Sequence, residues 1–288
     1  MDEFKKNLKQ STGMRVFIYL MTFFVCTLIG GALAALFTVS NDIFLIKIGQ
    51  GISSAMMFIV PPILFYVFTR TQPIQQLGFR KPAKGWMLLV GVAVIFVSLP
   101  VTNILGTWNE KMSFGPAFEP IEALLKQMED MAAELTQRMM EVDTVWGLLG
   151  NLLVIALIPA IGEELTFRSV LQQALTKRMN VHLGVFLSAF IFSFIHFQFY
   201  GFLPRMFIGL LLGYMFYYSG SVWTTILMHF LNNATAVVVG YLQYHNLTDV
   251  DWEHFGSTSN VALIVTSLVF TVGFIWLVAK NQYKYGRE

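Results

Sequence analysis

The sequence predicts an all-α protein that crosses a membrane several times. Hydrophobic residues make up 56% of the 288-residue chain, charged residues make up only 12%, and the mean hydropathy is +0.62. Soluble domains carry about 25% charged residues, so the composition indicates a polytopic integral membrane protein. Runs of about 20 apolar residues, long enough to cross a bilayer as helices, recur along the chain and predict about eight transmembrane helices.

Eight segments carry this apolar character. They lie near residues 14–38, 43–69, 84–105, 144–176, 181–199, 203–219, 221–241 and 259–280. The chain divides accordingly into an N-terminal region with three spans (1–105), an extracytoplasmic segment (106–143), a core of four helices (144–241) and a loop with the last span (242–288).

The segment 106–143 differs from the spans because acidic residues alternate there with apolar ones. Six apolar residues recur at helical spacing and predict an amphipathic helix that lies outside the bilayer or against it. They are Ile121, Leu124, Leu125, Met128, Met131 and Leu135.

The distribution of charge predicts the orientation. Lysine and arginine cluster before the first span, between the second and third, after the fourth and at the C-terminus, whereas 119–141 and 249–253 are acidic. Because positively charged loops stay in the cytoplasm, both termini are predicted to be cytoplasmic, which agrees with an even number of spans. The chain shows no organelle-targeting segment, and we expect it in a bacterial cytoplasmic membrane.

Composition also limits the classes of function. The formal net charge of +2 is too small to favour nucleic acid as a partner. The expected partners are the lipid bilayer and a peptide or membrane-protein substrate. The single cysteine, Cys26, lies in an apolar run and offers neither an intrachain disulfide nor a thiol metal site.

Ionisable groups inside the apolar spans indicate a functional site. Each costs at least about 2.5–3.5 kcal/mol at the bilayer centre and usually faces the bundle interior or a wet cavity. The stretch IGEELTFRSV in the fourth span carries three of them, and later spans add histidines, asparagines and an arginine. A helical rise of about 1.5 Å per residue predicts that four of them lie at overlapping depths in the membrane: Glu163, His196, His229 and Asn233. The candidates are Glu163, Glu164, Arg168, His196, Arg205, His229, Asn232 and Asn233.

Helical spacing separates the roles of the two carboxylates. Glu164 and Arg168 are four residues apart on one face and are expected to neutralise each other. Glu163 points in another direction, so it has no cation within its own helix and suits a general base. His229 and Asn233 also face one way, and His196 joins them from a third helix.

This set of groups fits hydrolysis by activated water. Glu163, His196 and His229 can hold one divalent metal ion such as zinc, with a position left open for water. Without a metal, glutamate and histidine can deprotonate water while histidine and Asn233 stabilise an oxyanion. Two other interpretations stay open: a scaffold in which these groups only join helices, and a transporter in which they relay protons or bind ions.

Three motifs carry a resemblance to a known family. Glu163-Glu164-x-x-x-Arg168, Phe192-x-x-x-His196 and His229-x-x-x-Asn233 follow one another on separate hydrophobic segments. This order resembles the CPBP family, which comprises type II CAAX prenyl endopeptidases and Abi-type, bacteriocin-processing membrane proteins. The resemblance covers about residues 145–240.

The resemblance implies an intramembrane endopeptidase. Glu163 and His196 would activate the water, His229 and Asn233 would hold the oxyanion or complete a metal site, and the Glu–Arg pair would set their geometry. Members of the family are described both as metalloproteases and as glutamate-dependent proteases, so zinc and a metal-free site are both open. The expected substrate is a bacterial peptide or membrane protein, with a possible link to bacteriocins.

Overall fold

The apolar segments fold as helices because a bilayer offers no water to an open backbone, whereas a helix satisfies its own polar groups. The structure is a computed structural model that describes residues 12–39, 41–69, 77–79, 82–250, 255 and 260–281. Within these ranges the chain is helical between short connections and forms no strand. The predicted class, an all-α polytopic membrane protein, is confirmed.

Ten helices, counted over the described residues, are numbered here in chain order. They are α1 (Thr12–Thr38), α2 (Ile43–Phe68), α3 (Gly85–Val97), α4 (Leu99–Glu110), α5 (Glu119–Met140), α6 (Val145–Thr176), α7 (Val181–Phe194), α8 (Phe202–Ser219), α9 (Val222–Tyr244) and α10 (Val261–Lys280). Short 3₁₀ turns at Pro116–Phe118 and Phe199–Gly201 precede α5 and α8.

The described residues contain fewer helices that are long and apolar enough to cross a membrane than the about eight predicted, and the exact number of spans stays a prediction. Six helices in the described ranges are long and apolar enough to cross, and α3 with α4, bent by 41°, makes a seventh if the pair is one span. The remaining segment, α7, ends at Phe194 after 14 residues, fewer than the about 20 that a span needs. The cytoplasmic location of both termini stays a prediction. Part of the positive charge on which it depends lies outside the described residues, at positions 5–9, 70, 80–81 and 284–287.

Prolines bend or widen the membrane helices at defined points. Proline has no N–H, so a carbonyl one turn earlier loses its helical partner. Pro100 lies directly after the bend between α3 and α4. In α2 and α6, the π-helical stretches Ala55–Ile59 and Leu152–Leu157 precede Pro61 and Pro159 and bond each amide to the carbonyl five residues earlier.

The acidic segment packs at one end of the helix bundle. Helix α5 contacts the turn Phe199–Gly201 and the last part of α9, and nearby Tyr244 donates a hydrogen bond to Asp143 at 3.1 Å. At the other end, Trp223 at the start of α9 donates to the carbonyl oxygen of Phe79 at 3.2 Å. The end of α4, α5 and the turn before α8 therefore share one end of the bundle. The division of the chain into four parts stays an interpretation of the sequence.

Candidate active site

The middle of α6 is buried on nearly every side. Its π-helical stretch Glu164–Gln172 packs against α2, α7, α8 and α9. Thr166 Oγ1 donates to the carbonyl of Phe58 at 2.9 Å, and Ser169 Oγ donates to the carbonyl of Leu77 at 2.8 Å. These bonds hold α6 in place without using its charged groups. Stretches of π-helix inside α-helices are frequent at functional sites.

Glu164 and Arg168 form the ion pair that their spacing predicts. Arg168 Nε lies 3.1 Å from Glu164 Oε2, and both side chains are fully buried. The guanidinium carbon also lies 5.0 Å from the centre of the Phe192 ring, while both terminal nitrogens of Arg168 find no hydrogen-bond acceptor among the described residues. Burial of this pair is tolerable because each charge compensates the other, and removal of one partner leaves the other uncompensated.

His229 on α9 lies between the two carboxylates. Its Nδ1 is 2.9 Å from Glu164 Oε1, and its Nε2 is 3.7 Å from Glu163 Oε2. Because an ionised carboxylate only accepts, Nδ1 carries the proton and donates it to Glu164. Helical spacing alone gave Glu164 no partner other than Arg168, and it grouped His229 with Glu163. The structure instead makes His229 a second partner of Glu164.

Glu163 is the carboxylate whose oxygens stay available. Its side chain is largely buried, and its nearest charged partner is His229, at 3.7 Å, a distance longer than a hydrogen bond. Within the described ranges, its oxygens accept no hydrogen bond. His196 is linked to the same cluster through the ring of Phe192, which contacts both imidazoles. The oxygens of Glu163 can accept a hydrogen bond from water.

His196 lies just beyond the end of α7, not inside a span that extends to residue 199 as predicted. The physical reason is the backbone of Phe197, whose φ of 52° is left-handed and does not continue a helix. The Nδ1 atom of His196 is 2.8 Å from the carbonyl oxygen of Phe192, which can only accept, so Nδ1 carries the proton. In the neutral ring Nε2 is then the acceptor.

Phe192 joins these groups, although its apolar ring predicts no chemical role. Its ring lies edge to face with the rings of His196 and His229, at centroid distances of 5.3 and 5.8 Å. It also lies against the guanidinium of Arg168 and packs edge to face on Phe167 at 5.1 Å. The aromatic contacts fix both imidazoles. The signal in the sequence was the four-residue spacing between Phe192 and His196.

Asn233 is near the cluster in sequence, but its side chain hydrogen-bonds to a neighbour on its own helix. It lies one turn beyond His229 on α9, is half-buried, and accepts a hydrogen bond from Asn232 Nδ2 at 3.2 Å. In the described part of the chain, no hydrogen bond joins Asn233 to Glu163 or His196. The amide nitrogen of Asn233 donates no hydrogen bond to any described residue, so it is available as a donor.

The predicted metal site of Glu163, His196 and His229 stays a prediction beside the metal-free site. Over the described residues, no group of three or more His, Cys, Asp or Glu side chains is arranged to hold a metal ion. His229 commits Nδ1 to Glu164, and its Nε2 and the Glu163 oxygen are 3.7 Å apart. Two ligand atoms about 2.0–2.2 Å from one zinc ion lie about 3.3–3.6 Å apart in a tetrahedral site, so this separation is close to that of two zinc ligands. The reaction proposed below is the metal-free alternative.

Asn109 fixes the turn that follows His196, a role that no motif in the sequence predicts. It is fully buried near the end of α4. Its Nδ2 donates to the carbonyl of Phe199 at 2.8 Å, and its Oδ1 accepts from the amide of Leu203 at 2.6 Å. One side chain thus satisfies backbone groups on both sides of the turn, which is the pattern expected of a positioning residue.

Two charged residues support the same turn from other helices. Glu129 of α5 accepts a hydrogen bond from the amide of Tyr200 at 2.9 Å. Arg205 of α8 donates to the side-chain oxygen of Gln198 at 2.8 Å and also to its carbonyl oxygen. Arg205, a candidate for the site itself, therefore holds the chain beside His196. Helix α5, α4 and α8 together determine where this turn lies.

We expect Asn109→Ala to lower both stability and any activity that depends on His196. The change leaves two partly buried backbone groups without their partner, and each costs less than the about 1–3 kcal/mol of a fully buried group. Thermal unfolding in detergent measures the first effect, and the turnover number for peptide cleavage measures the second. Asn103→Ala is the matched control, because its amide, on the same helix, bonds to the exposed carbonyl of Phe255. Equal effects of the two substitutions would argue against this role.

The fold and the site define a class: a multi-pass helical membrane protein with two carboxylates, two imidazoles and a guanidinium inside its bundle. The region that holds this cluster matches a known family. Residues 145–235 match the sequence model of the family described as "Type II CAAX prenyl endopeptidase Rce1-like". This match confirms the resemblance carried by the three motifs, all of which lie within it.

A curated protein extends the similarity beyond this core. The chain is 24% identical over 191 residues to "Putative membrane peptidase YdiL" of Bacillus subtilis (strain 168), an alignment that covers 66% of this chain and 72% of that protein. No solved structure matches the chain. Both similarities support a membrane protease.

Proposed function

We propose that the protein is an intramembrane endopeptidase that hydrolyses a peptide bond with water activated by Glu163 and His196. The observation that carries this proposal is the difference between the two adjacent carboxylates. Arg168 and His229 bind Glu164 at 3.1 and 2.9 Å, whereas the Glu163 carboxylate accepts no hydrogen bond from the described residues and lies 3.7 Å from His229. A general base needs a lone pair that is free to take a proton from water, and of the two adjacent carboxylates Glu163 is the one that meets this need.

In this proposal Glu163 acts as the general base. It takes a proton from water while the water oxygen attacks the carbonyl carbon of the substrate, and His196 Nε2 orients the water by accepting its other hydrogen. The negative charge moves to the carbonyl oxygen, which needs hydrogen-bond donors. The Asn233 amide and a protonated His229 Nε2 are the candidates. The proton on Glu163 then passes to the leaving nitrogen as the C–N bond breaks, giving one carboxylic acid and one amine.

We further propose that the substrate is a peptide or a membrane protein of a bacterial cytoplasmic membrane, with a role in bacteriocin maturation or immunity as one such case. The family match and the similarity to the Bacillus subtilis protein support a protease at a membrane. The largely apolar, exposed surface of the spanning helices supports a site that is reached within or at the edge of the bilayer.

Purified protein in lipid vesicles and a peptide library test this function. We expect cleavage products from the wild type and none above background from His196→Ala, because the water loses one of its two acceptors. A transporter would instead give ion flux across the vesicle membrane, abolished by Glu163→Gln, without peptide products. A scaffold would give neither flux nor products. Either of the last two results contradicts the proposal.

We expect a chelator to leave cleavage unchanged. In the proposed reaction Glu163 and His196 activate the water, and that step needs no metal ion. The measurement compares initial rates before and after dialysis against a strong chelator, with a zinc metalloprotease as the positive control. Loss of activity that zinc restores would contradict the metal-free reaction and favour the alternative in which Glu163, His196 and His229 hold an ion.

A further inference from the structure

Helix α5 presents its apolar residues outward. Five of them lie along one side of the helix, with exposed fractions from 36% at Leu135 to 64% at Met131. A helix on the surface of a soluble domain buries such a side against the core. We name these residues the apolar stripe: Ile121, Leu124, Met128, Met131 and Leu135.

The side of α5 that faces the protein makes polar contacts. Glu122 accepts hydrogen bonds from Ser113 Oγ at 2.8 Å and from the amide of Phe114 at 3.1 Å. Two turns further along, Glu129 accepts from the amide of Tyr200 at 2.9 Å. These bonds fix the rotation of α5 about its axis, so the apolar stripe cannot turn inward without breaking them.

A third side of α5 is exposed and polar. Lys126, Asp130 and Gln137 lie on it. The helix thus has one side bound to protein, one apolar and one charged. Exposed apolar and charged sides along one helix are typical of helices that lie in the plane of a membrane surface.

Two exposed tryptophans identify what covers the stripe. Trp108 near the end of α4 is 58% exposed, and Trp146 at the start of α6 is 82% exposed. Both belong to helices that cross or enter the membrane, and α5 lies between these two in the chain. Tryptophan is enriched where a helix passes from hydrocarbon to water. Both ends of the segment that contains α5 therefore start at the membrane surface, where lipid is the apolar phase next to the stripe.

We propose that α5 is an interfacial helix whose apolar stripe lies between the lipid headgroups and the acyl chains. The helix lies at the end of the bundle that carries the turn Phe199–Gly201. Lipid then holds one side of α5, and Glu129 joins another side to that turn. The membrane surface thus helps to position the turn beside His196 through α5. This inference does not depend on which reaction the site performs.

Site-directed fluorescence tests this placement. Met131→Cys and Ala133→Cys are labelled with bimane in the full-length protein, each reconstituted singly in nanodiscs of phosphatidylcholine. Side chains two residues apart on a helix point in nearly opposite directions. Ala133 is exposed, so Ala133→Cys is the matched control for Met131→Cys. Cys26, the only native cysteine, is buried, and the unsubstituted chain treated in the same way measures any label there.

Nanodiscs that contain lipid with a nitroxide near the headgroup provide the readout. We expect the label at position 131 to lose about half of its fluorescence or more, and the label at 133 to lose little but respond to aqueous iodide, because an interfacial helix sinks about 5–10 Å on one side only. Equal quenching at both positions would overturn the proposal. Protection of position 131 from both quenchers would overturn it as well, since a protein surface would then cover the stripe.

Discussion

Glu163→Gln is expected to lower the rate of peptide cleavage by about 10²–10⁴-fold, the range that general acid–base catalysis contributes. The amide keeps the shape of the side chain but cannot take a proton from water. Stability should change little, because Glu163 accepts no hydrogen bond from the described residues and its contact with His229 is 3.7 Å long. Initial rates at saturating peptide and thermal unfolding of the same preparation measure the two effects.

Glu164→Gln is the matched control, since it makes the same chemical change one residue further along. It removes the charge that compensates Arg168, whose side chain is fully buried, so it should lower stability more than Glu163→Gln does. The two substitutions therefore differ in their main effect: rate for one carboxylate and stability for the other. Wild-type cleavage by Glu163→Gln, or the reverse order of the stability losses, would contradict the assignment.

Arg168→Met is expected to cost about 3–5 kcal/mol of unfolding free energy, because it leaves the buried Glu164 carboxylate without its cation. Both side chains of the pair are 0% exposed, so solvent does not screen the charge that remains. Equilibrium unfolding by a denaturing detergent in mixed micelles measures the change. The hydrogen bond from His229 remains but compensates only part of the charge.

The double variant Glu164→Gln with Arg168→Met is the informative comparison. The amide oxygen can still accept the bond from His229 Nδ1, and methionine fills the space beside the Phe192 ring. No uncompensated charge is left, so most of the lost stability should return. If the double variant is as unstable as Arg168→Met alone, Arg168 stabilises the fold through contacts other than its ion pair.

The parts of this fold that depend on local pattern could be predicted from the sequence. Apolar runs predict helices because the bilayer forces each segment to satisfy its own backbone. The pairing of Glu164 with Arg168 follows from a spacing of four residues, and the structure has that contact at 3.1 Å. Both inferences require only the spacing of residues along a single helix.

Contacts between helices could not be predicted in the same way. The bond from His229 to Glu164 depends on how α9 packs on α6, and nothing in either motif fixes that packing. Asn109 is one polar residue near a helix end, and its two bonds appear only when the turn of Phe199 lies beside it. The end of α7 was missed because the left-handed residue is Phe197, not the glycine or asparagine that usually marks such a position.

Hydrolysis in water enriched in oxygen-18 tests the central claim most directly. Purified wild type, Glu163→Gln and His196→Ala are incubated in vesicles with the peptide library, and mass spectrometry identifies the products. The proposed reaction predicts pairs of fragments whose new carboxyl group carries oxygen-18 in the wild type, with the labelled products reduced by about 10²-fold or more in Glu163→Gln. Labelled products at equal rates in all three proteins, or no products from the wild type, would contradict the account.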